Sequence, residues 1–429
     1  MHSSLWILCL FISLAIIFKD VASNVRNQEQ MGNTLLDRLR SMQTELTGIR
    51  QDIHSHPESA MKELRTSSIV ATKLKQWGLT VTEGVGNLGV VGTLKSNIPG
   101  DQSIGLRADM DALEIGEKND LPYVSTNFGI MHACGHDGHT VMLLGAAKYL
   151  SENRDSFYGT VHFIFQPAEE NGAGALHMIE DELFDRFPMD AIYGLHNAAG
   201  LPVGEFAIRS GSMMSAADTW TVTFRGTGGH GAAPHLATDV TVLLAQFILS
   251  LQTIISRNIE PTDPAVISVG AIEGGYFRSL NVLPSEIRVG GTARSFTKGV
   301  RDTIEQRMKE LAHGLATSFG CKADVVYNRE GISLVNDVQS TERAIRAAES
   351  LVSAKSVFGN IPPIMGSEDF AEMLEHKAGA YIFMGNGNNS GALHSPTYNF
   401  NDDATIFGVG YWISLVQQEL QNKLRVTTL

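Results

Sequence analysis

The sequence predicts an α/β protein: a central mixed sheet flanked by helices, interrupted by an inserted two-layer α+β domain. Three observations lead there. Helical stripes alternate with short apolar runs up to about residue 208. The texture changes near 209, where two long helices are set among four strand-like segments. After about 330 the pattern of helices and short strands returns. The expected boundaries are a leader at 1–23, the first part of a main domain at 33–208, an insertion at 209–325 and the second part of the main domain at 326–429.

The leader comes first. Leu5 to Phe18 is a nearly unbroken apolar run, followed by Lys19-Asp20 and Val21-Ala22-Ser23. Its ~14 residues are short for a membrane span, which needs about 20. The length suits the core of a signal peptide with cleavage near Ala22. That reading puts the chain in the secretory lumen or outside the cell. The alternative is a retained N-terminal anchor. No later stretch reads as long and apolar enough to span a bilayer.

Leu35, Leu36, Leu39, Met42, Leu46, Ile49 and Ile53 share one helical face, and His54-Ser55-His56-Pro57 ends that helix. A second helix is expected near 63–77, stopped by Gly78. Leu79–Thr82, Gly89–Leu94 and Ser103–Ala108 read as strands, Thr140–Glu152 as a helix, and Thr160–Gln166 as a buried strand. In the insertion, Trp220–Arg225, Ala265–Ile272, Glu286–Phe296 and Lys322–Asn328 read as strands. Asp239–Arg257 and Lys298–Phe319 read as helices. Gly84-Val-Gly-Asn-Leu-Gly89 matches the dinucleotide fingerprint in letters only. The fingerprint needs a helix after it, and Val90–Leu94 reads as strand.

A formal charge of −13 argues against a nucleic-acid partner, which favours basic faces. The chemistry is concentrated elsewhere. Residues 131–140 read Met-His-Ala-Cys-Gly-His-Asp-Gly-His-Thr. Cys134 and His136, two residues apart, can face one ion, and thiolate and imidazole are the usual ligands of zinc-like cations. Glu169 and Glu170 follow a strand that Pro167 must end. Two adjacent carboxylates repel unless a cation or a shared proton relieves them. Alone the pair reads as solvated; with the Cys/His cluster upstream it reads as part of a site. His196 and His394 each follow an apolar stretch. Lone histidines of this kind are more often structural, and their placement raises the ligand reading modestly. His230 sits in the Gly-rich segment Gly226–His235, which is otherwise an ordinary hairpin. Asn281 and Arg294 offer an amide and a guanidinium suited to an oxyanion and a carboxylate, or else a turn amide and a surface arginine.

These segments together resemble the dinuclear-metal amidohydrolases related to aminoacylase and carboxypeptidase G. The likeness is to the branch holding hippurate hydrolase, bacterial N-acyl-amino-acid amidohydrolases and plant auxin-conjugate hydrolases. The carrying motifs are Arg107–Leu113, His132–His139, Gln166–Glu170, Gly194–His196, Gly228–His235, Asn281–Pro284, Gly366–Phe370 and His394–Pro396, in family order. The resemblance implies two divalent ions, zinc, manganese or cobalt, bridged by Cys134. Glu170 and His394 would hold one ion, His136 and His196 the other. It implies Glu169 as general base, His230 as the lid residue that steadies the oxyanion, and Asn281 and Arg294 as the grip on the substrate carboxylate. Asp109 would orient a ligand from behind it. Asp111, Asp137, His139, His235 and Glu368 are near-site candidates without an assigned role. By the same resemblance the insertion is a lid and a homodimerisation domain. The implied reaction is hydrolysis of the amide of an N-acyl or aryl-acyl amino acid. The alternatives are a dipeptidase, a deacetylase of an N-acetylated intermediate, or an inactive metal-binding scaffold.

Overall fold

The computed structural model describes residues 34–421. The apolar leader, expected as a signal or an anchor, lies outside the described residues. The chain divides into two compact units.

The first unit holds the described residues up to Gly211, with Asn336–Ile361 and Met373 onward. Its frame is an eight-stranded mixed sheet. The strands are β1 (Thr80–Val85), β2 (Gly89–Lys95), β3 (Ile98–Asp109), β4 (Tyr158–Gln166), β5 (Ala191–Ala198), β6 (Phe206–Ala207), β7 (Val357–Phe358) and β8 (Gly379–Gly385). Their spatial order is β1-β2-β4-β3-β5-β8-β6-β7. The four central strands β4, β3, β5 and β8 run parallel to one another. The last six residues of β4, the first seven of β5 and all of β8 are buried. Such continuous burial is what helices on both faces of a parallel sheet produce. The dinucleotide-like glycines form the turn of the antiparallel β1–β2 hairpin, with Val85 opposite Gly89, so no phosphate-binding helix opens there.

Helix His136–Glu152 is buried almost all round. It starts four residues earlier than expected, at His136 rather than Thr140. Helices Gln43–Ser55 and Thr405–Glu419 pack against it. Close approach explains Gly145: a Cβ there would meet Val409 Cγ2 at 2.6 Å. Helix Leu64–Gln76 leans on β1 and β2.

The second unit comprises Ser212–Val335 and Pro362–Glu372. Its four-stranded antiparallel sheet has the order Ala265–Gly274, Glu286–Ser295, Ala216–Arg225, Lys322–Gly331. The sequence places the end of the insertion at 325, yet strand Lys322–Gly331 carries the unit through that point. Pro362–Glu372 joins through the Met214–Ile364 bridge and a hydrogen bond from the Ser215 amide to the Gly366 carbonyl, although it was expected within the second part of the main domain. Helices Val240–Asn258 and Lys298–Ser318 lie on the sheet, their first turns capped by Asp239 and Thr297. Helix Val240–Asn258 is long and apolar enough to cross a membrane by composition. This corrects the expectation that no later stretch is. Its Val240, Leu243, Leu244, Phe247, Leu251 and Ile254 recur at helical spacing and bury against Trp220 and Phe224, which makes it a core helix of this unit.

Candidate metal centre

Strands β3, β4 and β5 point the same way, so their C-terminal ends share one edge of the sheet. That is where α/β folds collect functional groups. Asp109 ends β3, Gln166 ends β4, and His196 and Asn197 lie near the end of β5. The loop before helix His136–Glu152 brings Cys134 to the same edge.

Three further devices aim the side chains. Gly135 caps the helix with φ 100°, a left-handed conformation that glycine adopts freely. Ala168 has φ 56° and swings Glu169 and Glu170 off the end of β4. His394 has φ 61°, and its amide donates to the Ala133 carbonyl at 2.8 Å, pinning it beside Cys134. Non-glycine residues in this region cost about 1–3 kcal/mol each and persist where the surroundings hold them.

The structure gathers all five expected ligands in the first unit. Cys134 Sγ lies 3.3 Å from His196 Nε2, and Glu170 Oε1 lies 3.5 Å from His394 Nε2. Cys134, His136 and His196 offer donor atoms within 4.8 Å of one another, and so do Cys134, Glu170 and His394. Cys134 belongs to both groups. His136 Nε2 is buried without a hydrogen-bond partner. Oxygens of Asp109, Glu170 and Glu169 stand 3.9, 3.9 and 4.0 Å away from it. Such separations are too long for hydrogen bonds. They suit groups placed around a cation with bonds of about 2.0–2.3 Å. The residues present therefore fit a metal centre.

Supporting contacts fix the tautomers. His196 Nδ1 donates to the Asn197 carbonyl at 2.6 Å, leaving Nε2 bare toward Cys134. His136 Nδ1 donates to Asp111 Oδ1 at 3.2 Å, and Asp111 Oδ2 accepts the Glu170 amide at 3.0 Å. His139 is spoken for at both nitrogens. Its Nδ1 donates to Asp109 at 2.6 Å, and its Nε2 accepts the Asn197 amide at 3.0 Å. It holds neighbours in place rather than an ion. Asp109 is further gripped by Arg107 Nη1 at 2.6 Å. Contacts of this kind orient ligands and tune their basicity.

Burial alone would raise Asp109, but His136, His139 and Arg107 hold it well below the usual carboxylate range. Burial keeps His196 neutral. His136 goes the other way. Burial opposes its charge, yet Asp109, Cys134 and Asp111 push it well above the ordinary histidine value. Burial drives the Cys134 thiol up, and Glu170 and Glu169 add to that against His136. A cation bound among such thiol and imidazole groups takes them deprotonated, so its binding releases protons. The Glu170 carboxylate raises His394, with burial opposing. The His394 side chain is 53% exposed while Glu169 and Glu170 are 11% and 12% exposed, so the cluster is open on the His394 side.

The remaining expected residues lie in the second unit. His230 is exposed on a two-residue strand paired with Val282–Leu283, and the Gly231 amide donates to the Asn281 carbonyl at 2.7 Å. His230 and Asn281 are thus brought together by one small antiparallel strand pair, from segments about fifty positions apart. Arg294 is half-buried in strand Glu286–Ser295. Two contributors were not singled out in the sequence. Asn197 is an ordinary polar residue after His196, and Tyr398, whose hydroxyl donates to Asn197 Oδ1 at 2.5 Å, lies far along the chain.

Residues 105–418 match the family model described as peptidase family M20/M25/M40. The chain is 38% identical over 390 residues to a hippurate hydrolase of Campylobacter jejuni, covering 90% of this chain and all of that protein. It is 38% identical over 368 residues to an N-acetyl-L-cysteine deacetylase of Bacillus subtilis, covering 86% of each. A solved dinuclear metal-binding peptidase of the M20 family from Bacillus subtilis superposes with a TM-score of 0.77 at 31% identity. That match covers 89% of this chain and 99% of the other.

Proposed function

This chain belongs to peptidase family M20/M25/M40, and from that membership we infer a metal-dependent hydrolase that cleaves the amide bond of N-acyl amino acids, releasing an amino acid and a carboxylic acid. The observation that carries the reading is the convergence of Cys134, His136, Glu170, His196 and His394, with Glu169 at its border.

Two donor groups sharing Cys134 support a pair of ions: one held by Glu170 and His394, the other by His136 and His196, with Cys134 common to both. Divalent ions there would polarise the scissile carbonyl and make water acidic near neutral pH. Glu169 takes the proton from the attacking water as its oxygen bonds to the carbonyl carbon. It then delivers that proton to the amine nitrogen as the C–N bond breaks. Asp111 keeps His136 oriented throughout.

His230 would steady the oxyanion, and Asn281 and Arg294 would receive the substrate carboxylate. The strand pairing that brings His230 beside Asn281 supports assigning them to one end of the substrate. A homodimer through the second unit is supported by apolar side chains left in solvent there: Val242 and Leu249 on its helix, Val266 and Ile272 on its edge strand. Analytical ultracentrifugation of the full chain tests it. The leader supports routing to the secretory lumen or retention on a membrane; N-terminal sequencing of the mature protein decides between them.

The test of activity is a hydrolysis panel of N-benzoyl- and N-acetyl-amino acids together with dipeptides. Protein stripped by a chelator should be inactive and should recover with zinc, manganese or cobalt. Full activity after stripping would defeat the reading. The deacetylase alternative is favoured by the relative named for N-acetyl-L-cysteine, and the panel separates it from aryl-acyl cleavage.

A further inference from the structure

Glu63 is fully buried and takes no part in the chemistry above. Its Oε1 accepts two backbone amides, Met61 at 3.0 Å and Ala168 at 2.8 Å. Both donors carry left-handed backbone, with φ 60° and 56°. One carboxylate oxygen therefore stabilises two costly conformations, one of which presents Glu169 and Glu170. The other oxygen, Oε2, is buried without a hydrogen-bond partner.

The helix that starts at Leu64 does not explain this placement. Its first amides are already taken by Glu58, whose carboxylate accepts Arg65 N and Thr66 N at 2.9 Å each. A buried carboxyl with one bare oxygen is expensive. Burial, with Asp111 nearby, lifts Glu63 to about 7. The same loop also touches the other carboxylate segment. The Glu58 carbonyl accepts the Ala112 amide at 2.8 Å, and Ser59 bridges Ala112. Residues 58–63 thus hold the residue after Asp111 and the residue before Glu169.

We propose that Glu63 is a positioning residue: its carboxyl clasps the Ala168 turn so that Glu170 faces the ions and Glu169 faces the attacking water. The inference rests on the roles given above to Glu169 and Glu170. None of the sequence motifs above assigns Glu63 this task. A glutamine at 63 keeps an acceptor oxygen at the same reach; an alanine removes it.

The experiment compares Glu63→Ala and Glu63→Gln. Readouts are Mn²⁺ affinity by calorimetry, kcat and KM on a cleaved N-acyl amino acid, and hydrogen exchange of the peptide spanning 166–172 in ion-free protein. Glu63→Ala should weaken Mn²⁺ binding and lower kcat about 10-fold or more, with KM nearly constant and faster exchange at Ala168. Glu63→Gln should restore all three to near the parent values. If Glu63→Ala does not fold, Glu63→Asp, one methylene short of Ala168, takes its place with the same expectations. Unchanged exchange and affinity in the alanine or aspartate variant, or a glutamine variant as impaired as alanine, would overturn the proposal. Exchange and affinity need no turnover, so a clasp that fails is distinguishable from a wrong role for Glu169, which Glu169→Gln reports separately.

Discussion

The Asn197 side chain donates to the Cys134 carbonyl at 2.7 Å, tying the end of β5 to the loop before helix His136–Glu152. Gly135 lies in the same contact. A Cβ at 135 would stand 2.4 Å from Asn197 Nδ2 and 2.6 Å from the Tyr398 hydroxyl, on a backbone with φ 100°. Gly135→Ala should therefore destabilise the fold by about 2 kcal/mol or more and weaken ion binding. Thermal unfolding with and without added Mn²⁺ checks both effects.

Glu169→Gln keeps the shape of the side chain and removes its ability to accept a proton. We expect kcat to fall by about 10²–10⁴-fold while bound metal per chain stays at the parent value. Elemental analysis beside steady-state kinetics is the check. A loss of metal in this variant would make Glu169 a ligand instead.

Ions that bind the folded chain alone raise its stability by about 2.7 kcal/mol at one hundred times Kd. Stripping should lower Tm, and re-addition should raise it with the logarithm of ion concentration above Kd. In Cys134→Ala both donor groups lose their common member. The ion dependence of Tm should then vanish, which differential scanning calorimetry measures.

His54 supplies a pH signature away from the ligands. Burial opposes its charge, but Asp137 at 2.8 Å and Glu117 at 3.2 Å raise it to about 9. The folded value exceeds the unfolded value of about 6.5. Its contribution is therefore fully present below pH 6.5 and is lost as pH rises through 9, by up to about 3 kcal/mol. Urea midpoints of the parent and of His54→Gln should differ most at pH 6 and converge above pH 9.

The cluster of donor side chains was legible because its chemistry is local. Cys134 and His136 stand two apart, and Glu169, Glu170 and His196 follow apolar strands that had to end there. Their supporters were not. Ala168 meets Glu63 across 105 positions and Asn197 meets Tyr398 across 201, and neither residue looks unusual in the chain. Only folding makes them neighbours. The start of helix His136–Glu152 was misplaced for a related reason. A helix buried on all sides has no polar face to set its phase, and its true start depends on the left-handed Gly135. In the second unit, where strands alternate buried and open residues, the expected elements fall within a few residues of those observed.

Strand β8 slots in beside β5, and His394 closes the ligand set, yet both are made after the whole of Ser212–Val335. On the ribosome, the half-built sheet must wait with an unpaired flank while the second unit emerges and folds. The full set of donor side chains therefore exists only once residue 394 has been made. Nascent chains halted before residue 394 should be the ones that need chaperones most.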